Sequence, residues 1–144
     1  MNIKTKYHGS MEVKKQDILH FHDGLPGFVE EKTFIVLPLG DDNVFYFLQS
    51  TQTPNLGFVI TNPFLFFKEY DFELDTSHLQ KLEIKDEEHV AVYTILTMTD
   101  QIEQSTANLQ APIVINTKTN KAKQIILTNT SYKTKHSLAK QSIK

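Results

Sequence analysis

KTFIVLPLGDDNVFYFLQS, residues 32–50, is the stretch on which the fold turns. Lys32 to Leu39 and Asn43 to Ser50 are β-branched and aromatic runs of strand length. Asp41-Asp42-Asn43 between them is a compact turn, so the two runs predict a hairpin. Working outward, Gly57 to Thr61 (GFVIT) and His89 to Thr99 (HVAVYTILTMT) carry the same signature. In the latter, Val90, Val92, Leu96 and Met98 share one face and Ala91, Tyr93 and Ile95 the other, which predicts a strand covered on both sides. Ile113 to Asn116 and Ala122 to Thr128 flank the polar turn Lys118-Thr119-Asn120-Lys121 and read as a second hairpin. Ile3–Tyr7, Met11–Val13 and Ile18–Phe21 read as short strands around His8-Gly9-Ser10. Helix signals are few: Asp75-Thr76-Ser77 can cap one short helix through Leu82, with Leu79 and Leu82 on one face. About eight short strands and one helix predict a mainly β fold, a small antiparallel β-barrel-like single domain. It is expected to span residues 1–132. Residues 133–144 (KTKHSLAKQSIK) read as a basic, flexible tail with at most a turn or two of helix.

At 144 residues the chain has the size of one domain. No apolar run reaches the length of a membrane span, and MNIKTKYHGS lacks the apolar stretch of a signal peptide. A cytoplasmic address is therefore expected. The chain has no cysteine, which excludes disulfides, thiolate metal sites and cysteine nucleophiles. All fifteen basic residues are lysines; the missing arginine weighs against specific nucleic-acid recognition. Residues 69–103 hold ten acids against Lys81 and Lys85, a net of −8, whereas residues 104–144 hold seven lysines and no acid. An acidic middle repels polyanions and attracts basic proteins, although a solvated face accounts for it equally.

Motifs for chemistry are sparse. His20 and His22 share a strand face, with Asp23 and His8 as conceivable companions, but zinc needs a fixed third ligand. Two surface histidines at a strand end explain the pattern without metal. Glu87-Glu88-His89 lacks the spacing of a zinc hydrolase, and there is neither a nucleophile elbow nor a phosphate-binding glycine run. Asp71 and Glu73 share a face as a solvated pair. No enzyme activity and no cofactor or metal is expected. GLPGF (Gly24 to Phe28) predicts a tight turn that plugs a barrel end, with Leu25 and Phe28 folding inward. TNPFLFFKEY (Thr61 to Tyr70) gathers Phe64, Phe66, Phe67 and Tyr70 around a proline, the composition of an interface centre beside an acidic rim. Core packing is the competing account for each of these rings.

FHDGLPGFVEEKTF (21–34), LQS (48–50), FVITNPFLFFKEY (58–70), TANLQAPIVIN (106–116) and KQIILTNTSY (123–132) together resemble the FliW family of flagellar assembly factors. The resemblance runs through nearly the whole chain and implies a binding protein. Members are small β-barrel-like monomers that bind cytoplasmic flagellin and also CsrA, a dimeric RNA-binding repressor of flagellin translation. The implied mechanism is a partner switch. Accumulated flagellin holds the protein; secretion drains flagellin, and the released protein binds CsrA away from its RNA-contacting residues and antagonises it allosterically. Neither nucleic acid nor membrane is an implied partner.

Candidate partner-binding residues, drawn from loops and strand ends in the matching segments, are Asn55, Phe58, Tyr70, Asp71, Ile102, Glu103, Asn108 and Leu109. In TANLQAP, held by Pro112, the loop's backbone groups and the Asn108 amide are expected to pair with a partner's main chain and Leu109 to offer an apolar anchor. A crossover that only connects two strands is the alternative. Rival readings from other classes are an RNA-binding small barrel with stacking aromatics, a hydrolase built on His8, His20 and His22, and a ligand-holding barrel. Ten phenylalanines to house make a filled interior the expectation for the last.

Overall fold

The Asp41-Asp42-Asn43 turn closes as its residues predict. A computed structural model, which describes residues 1–139, places strands β4 (Thr33–Leu39) and β5 (Phe45–Ser50) on either side of it. Asn43 adopts φ 58°, and the Asp42 carboxylate accepts the Val44 N–H at 3.2 Å. β5 pairs antiparallel with β6 (Gly57–Thr61), and β6 with β7 (Val90–Thr97). On the other side β4 pairs with β3 (Leu19–Phe21).

These five strands form a meander with two open edges, and one hairpin closes both. Strand β9 (Ile113–Asn116) pairs antiparallel with β7, while β10 (Lys121–Gln124) pairs parallel with β3. The result is a closed barrel of seven strands. The barrel matches the expected class, with β10–β3 as its one parallel seam among the described residues. Strands β1 (Asn2–Lys4) and β2 (Ser10–Glu12) form a separate hairpin; β8 (Thr106–Ala107) and β11 (His136–Ser137) extend the sheet beyond β7. Helix α1 (Thr76–Lys81) starts where predicted, with the Asp75 carboxylate accepting the His78 N–H at 2.9 Å.

Alternation sorts the side chains. Phe21, Phe34, Leu48, Ile60, Ile113 and Ile115 point inward as one cluster that occupies the interior. The opposite faces are apolar as well because three coverings lie on the barrel. The β1–β2 hairpin brings Ile3 and Val13 onto Ile35 and Leu37. Leu82, Ile125 and Leu127 lie over Val114. The stretch after β6, the loop after β8 and the segment just past β11 lay Phe67, Tyr70, Leu109 and Leu138 over Leu96. β7 is accordingly apolar on both faces but mostly half-buried, and Met98 beyond its end is 37% exposed.

Several expectations are corrected. The first and third N-terminal strands are shorter than read and the second is shifted by one residue; β10 stops at Gln124, although Ile125 and Leu127 continue inward on either side of exposed Ile126. In GLPGF, Leu25 is buried but Phe28 turns outward, 40% exposed, and its ring meets Phe58 edge-on at 5.6 Å. The tail read as starting at Lys133 is structured through Leu138. The Lys133 carbonyl accepts the Leu109 and Gln110 N–H groups, β11 pairs with β8, and Leu138 is buried. Residues 140–144 lie outside the described residues.

Candidate functional site

β6 cannot run on past Thr61, because Pro63 lacks the N–H a ladder requires. Asn62 caps a single 3-10 turn, Pro63–Leu65, accepting the Phe64 N–H at 2.9 Å. The aromatic group then divides. Phe67 and Tyr70 turn inward, while Phe64 and Leu65 remain 42% and 55% exposed.

Tyr70 ties this segment to the rest of the fold. Its hydroxyl donates to the Leu109 carbonyl at 2.8 Å, and its ring stands edge-on to Tyr132 at 4.7 Å. Burial, and secondarily the neighbouring Tyr132, pushes the Tyr70 phenol well above its ordinary value of 10.0. A raised folded pKa means that this stabilisation is whole below pH 10.0 and drains as pH climbs from there through the folded value. Tyr70→Phe is expected to cost about 1–3 kcal/mol at neutral pH, since it leaves the Leu109 carbonyl without its donor. The variant should also lose stability less steeply in alkali than the parent. Denaturant unfolding on both sides of pH 10 measures both effects; parallel alkaline slopes would show that Tyr70 is not the titrating group.

From Tyr70 to Asp75 the chain is extended and alternates. Phe72 and Leu74 turn toward the barrel and are half-buried; Asp71, Glu73 and Asp75 are exposed. Helix α1 follows and brings Leu79 back over the same surface. The Asn116 side chain holds the helix end to the barrel, donating to the Leu82 and Glu83 carbonyls at 2.8 and 3.1 Å. Glu83 there takes φ 56°, and its carboxyl sits below the usual range because the Lys121 ammonium hydrogen-bonds it. Asp86 then caps a second 3-10 turn that leads into β7.

These segments enclose a groove of about 630 Å³. Its floor is apolar, built from Phe72, Leu74, Leu79, Ile84, Val90 and Val92, with exposed Phe64 at one end. Asp71, Glu73, Asp86 and Glu87 stand along it against Lys85 alone, a formal charge of 1 − 4 = −3. An apolar trough with acidic walls suits a partner segment that is apolar on one side and basic on the other. A smaller cleft of about 500 Å³ lies beside Phe66, Asp100, Ile102, Glu103 and Leu138. Ile102 is 49% exposed there.

The predicted residues therefore separate. Asp71 stands on the groove wall, and Ile102 and Glu103 line the smaller cleft. Asn55 is exposed in the β5–β6 turn, which the buried Gln49 amide pins by donating to the Pro54 carbonyl at 3.0 Å. That turn lies at the far end of its hairpin from Asn62, and half-buried Phe58 is near it. Tyr70 is buried. Asn108 and Leu109 correct the reading of TANLQAP. Leu109 is 2% exposed, and the Asn108 side chain accepts the Ala111 N–H at 3.1 Å. The Asn108 backbone is used too, donating to Ile95 and accepting from Thr94 Oγ1. The loop is bound inward and presents neither the apolar anchor nor the free backbone expected of it.

Sequence reasoning missed Phe72, Leu74, Ile84 and Asp86. The period-two pattern of YDFELD, apolar against acidic, was the available signal. His20 and His22 are exposed, and His8 Nε2 lies 2.9 Å from the Pro38 carbonyl. Among the described residues no group of three His, Asp or Glu can hold a metal ion, and no helix is long and apolar enough to cross a membrane.

A family model described as "FliW protein" matches residues 2–138. The flagellar assembly factor FliW of Geobacillus kaustophilus (strain HTA426) is 52% identical over 143 residues, covering 99% of each chain. Its namesake from Bacillus subtilis (strain 168) is 49% identical over 142 residues, again 99% of both. A crystal structure of the flagellar assembly factor FliW superposes with a TM-score of 0.91 at 51% identity, covering 96% of each chain.

Proposed function

The chain belongs to the FliW family, and from that premise we propose that it is a flagellar assembly factor that works by binding proteins in turn. One partner is cytoplasmic flagellin. The other is CsrA, which the protein antagonises allosterically when flagellin has been exported, relieving repression of flagellin synthesis. The observation that carries this reading is the acid-walled apolar groove between the 71–74 segment, α1 and β7. Its floor supplies burial, and its walls supply attraction for a basic protein and repulsion for RNA.

Calorimetric titration with CsrA, with and without flagellin, tests the exchange. CsrA should bind alone and fail to bind once flagellin is saturating. Simultaneous binding of both would leave an interaction protein but remove exclusive exchange, and binding of neither would remove the function.

The walls predict a second result. Asp71, Glu73 and Glu87 on the walls and Glu88 next to them in the chain are all exposed, so changing them to Asn or Gln removes charge without opening the core. The quadruple variant should inhibit RNA binding by CsrA about tenfold less well at low salt, with a flatter salt dependence. Unchanged inhibition with an unchanged salt slope would discard the electrostatic route.

A further inference from the structure

β3 and β10 meet at only two positions, His20 with Lys121 and Phe21 with Ala122. Over this parallel seam lies a second cleft of about 630 Å³, walled on its third side by the end of α1. Lys32, Lys81, Lys121 and Lys123 all line it, together with the exposed His20 and His22. Asp23 is the one acid among the described lining residues, so the lining carries 4 − 1 = +3 in a chain whose net charge is −2.

The lysines come from three separate segments, and most are held in place. Lys123 Nζ lies 3.4 Å from the Asp23 carboxylate, and Lys121 pairs with Glu83. Lys32 Nζ donates to the His22 carbonyl at 2.8 Å. An ammonium has three donors, so each of these keeps N–H groups for a ligand. Lys81 has no carboxylate in ion-pair reach among the described residues.

We propose that this cleft binds a compact oligophosphate, either free polyphosphate or the phosphate chain of a nucleotide. Convergent ammonium groups act as point charges that suit phosphate oxygens spread over a short chain, and no guanidinium is present for planar bidentate capture. The volume is that of a small-molecule site. A long polyanion leaving it would run along α1 into the segment of net −8, whereas a compact one meets four lysines against Asp23 and the Lys121-paired Glu83. The site is separate from the acid-walled groove and does not depend on partner exchange.

The test is an amide chemical-shift titration of the full chain with sodium tripolyphosphate, and separately with ATP, at constant ionic strength. Saturable shifts are expected at residues 20–23, 32–33, 81–82 and 121–123. Lys32→Gln with Lys81→Gln should raise the Kd at least about tenfold. Neither lysine pairs with a carboxylate, so the double change strands no acid, and an unchanged melting curve confirms the fold. Equal affinities for the two probes would assign recognition to the phosphates alone; tighter ATP binding would add the nucleoside against His20 and His22. Shifts that never saturate, equal affinity in the double variant, or tighter binding of a uridine decamer than of tripolyphosphate would each overturn the proposal.

Discussion

Leu109→Ala is expected to destabilise the protein by about 3–4 kcal/mol, the cost of a large apolar side chain removed from a closed core. Leu109 packs in one cluster with Phe67, Tyr70, Leu96, Ala107 and Leu138. Those residues come from four stretches of chain, so the void has no single flexible wall to fill it. Its backbone is committed as well, since its N–H donates to Lys133 and its carbonyl accepts the Tyr70 hydroxyl. The midpoint of thermal unfolding should fall by about 10 °C. Partner affinity measured well below that midpoint should be unchanged, because the side chain is not on the surface. A variant that melts like the parent but binds no partner would return Leu109 to the interface.

Gly24→Ala is the second large effect, expected to cost about 3–4 kcal/mol from backbone strain and overpacking together. Gly24 opens the GLPGF turn at φ +65°, and a Cβ there would stand 2.5 Å from the Val29 carbonyl oxygen and 2.7 Å from that of Phe28. Both obstacles are backbone, and the Phe28 carbonyl is held by the reciprocal hydrogen bonds between Leu25 and Phe28, so neither swings aside as a side chain would. Gly27 in the same turn is the control. Its φ is +83°, yet nothing lies within 4 Å of an added Cβ, so Gly27→Ala should show strain alone, about 1 kcal/mol. Equal losses at the two positions, read by denaturant unfolding, would show that the turn relaxes around the methyl.

The parts of this fold legible in the sequence are those decided by neighbours along the chain. Asp42 and Asn43 carry their turn by local hydrogen bonding and left-handed φ, and Asp75 caps α1 through a contact three residues on. The two-faced apolar pattern of HVAVYTILTMT announced coverings on both sides, but not what would supply them. Leu109 was misread because its surroundings in sequence are polar; the residues that enclose it arrive from around 67–70 and 133–138. The same distance effect hid β8 and β11, two residues each: β8 is a strand because it meets β7, and β11 because it meets β8. Phe28 was misplaced because a positive-φ turn fixes the backbone but not which of its apolar ends faces in. For the site, the acidic character of 69–103 was visible in composition. The trough beneath it needed Val90 and Val92 to come alongside Phe72 and Leu74.

The hairpin that seals both edges of the meander has a consequence for synthesis. Strands β3 to β7 are complete once residue 97 has been made, yet their outer edges have no partners until β8, β9 and β10 follow. The parallel seam joins Lys121 to His20 across about a hundred residues, a separation that makes closure slow. A ribosome-bound chain ending before that seam carries two unpaired strand edges and an uncovered interior. Its α1 also lacks the Asn116 side chain that fastens it. The acid-walled groove is therefore assembled only once the β9–β10 hairpin has been made, and a chain terminated before it would be a sticky fragment, not a weaker binder.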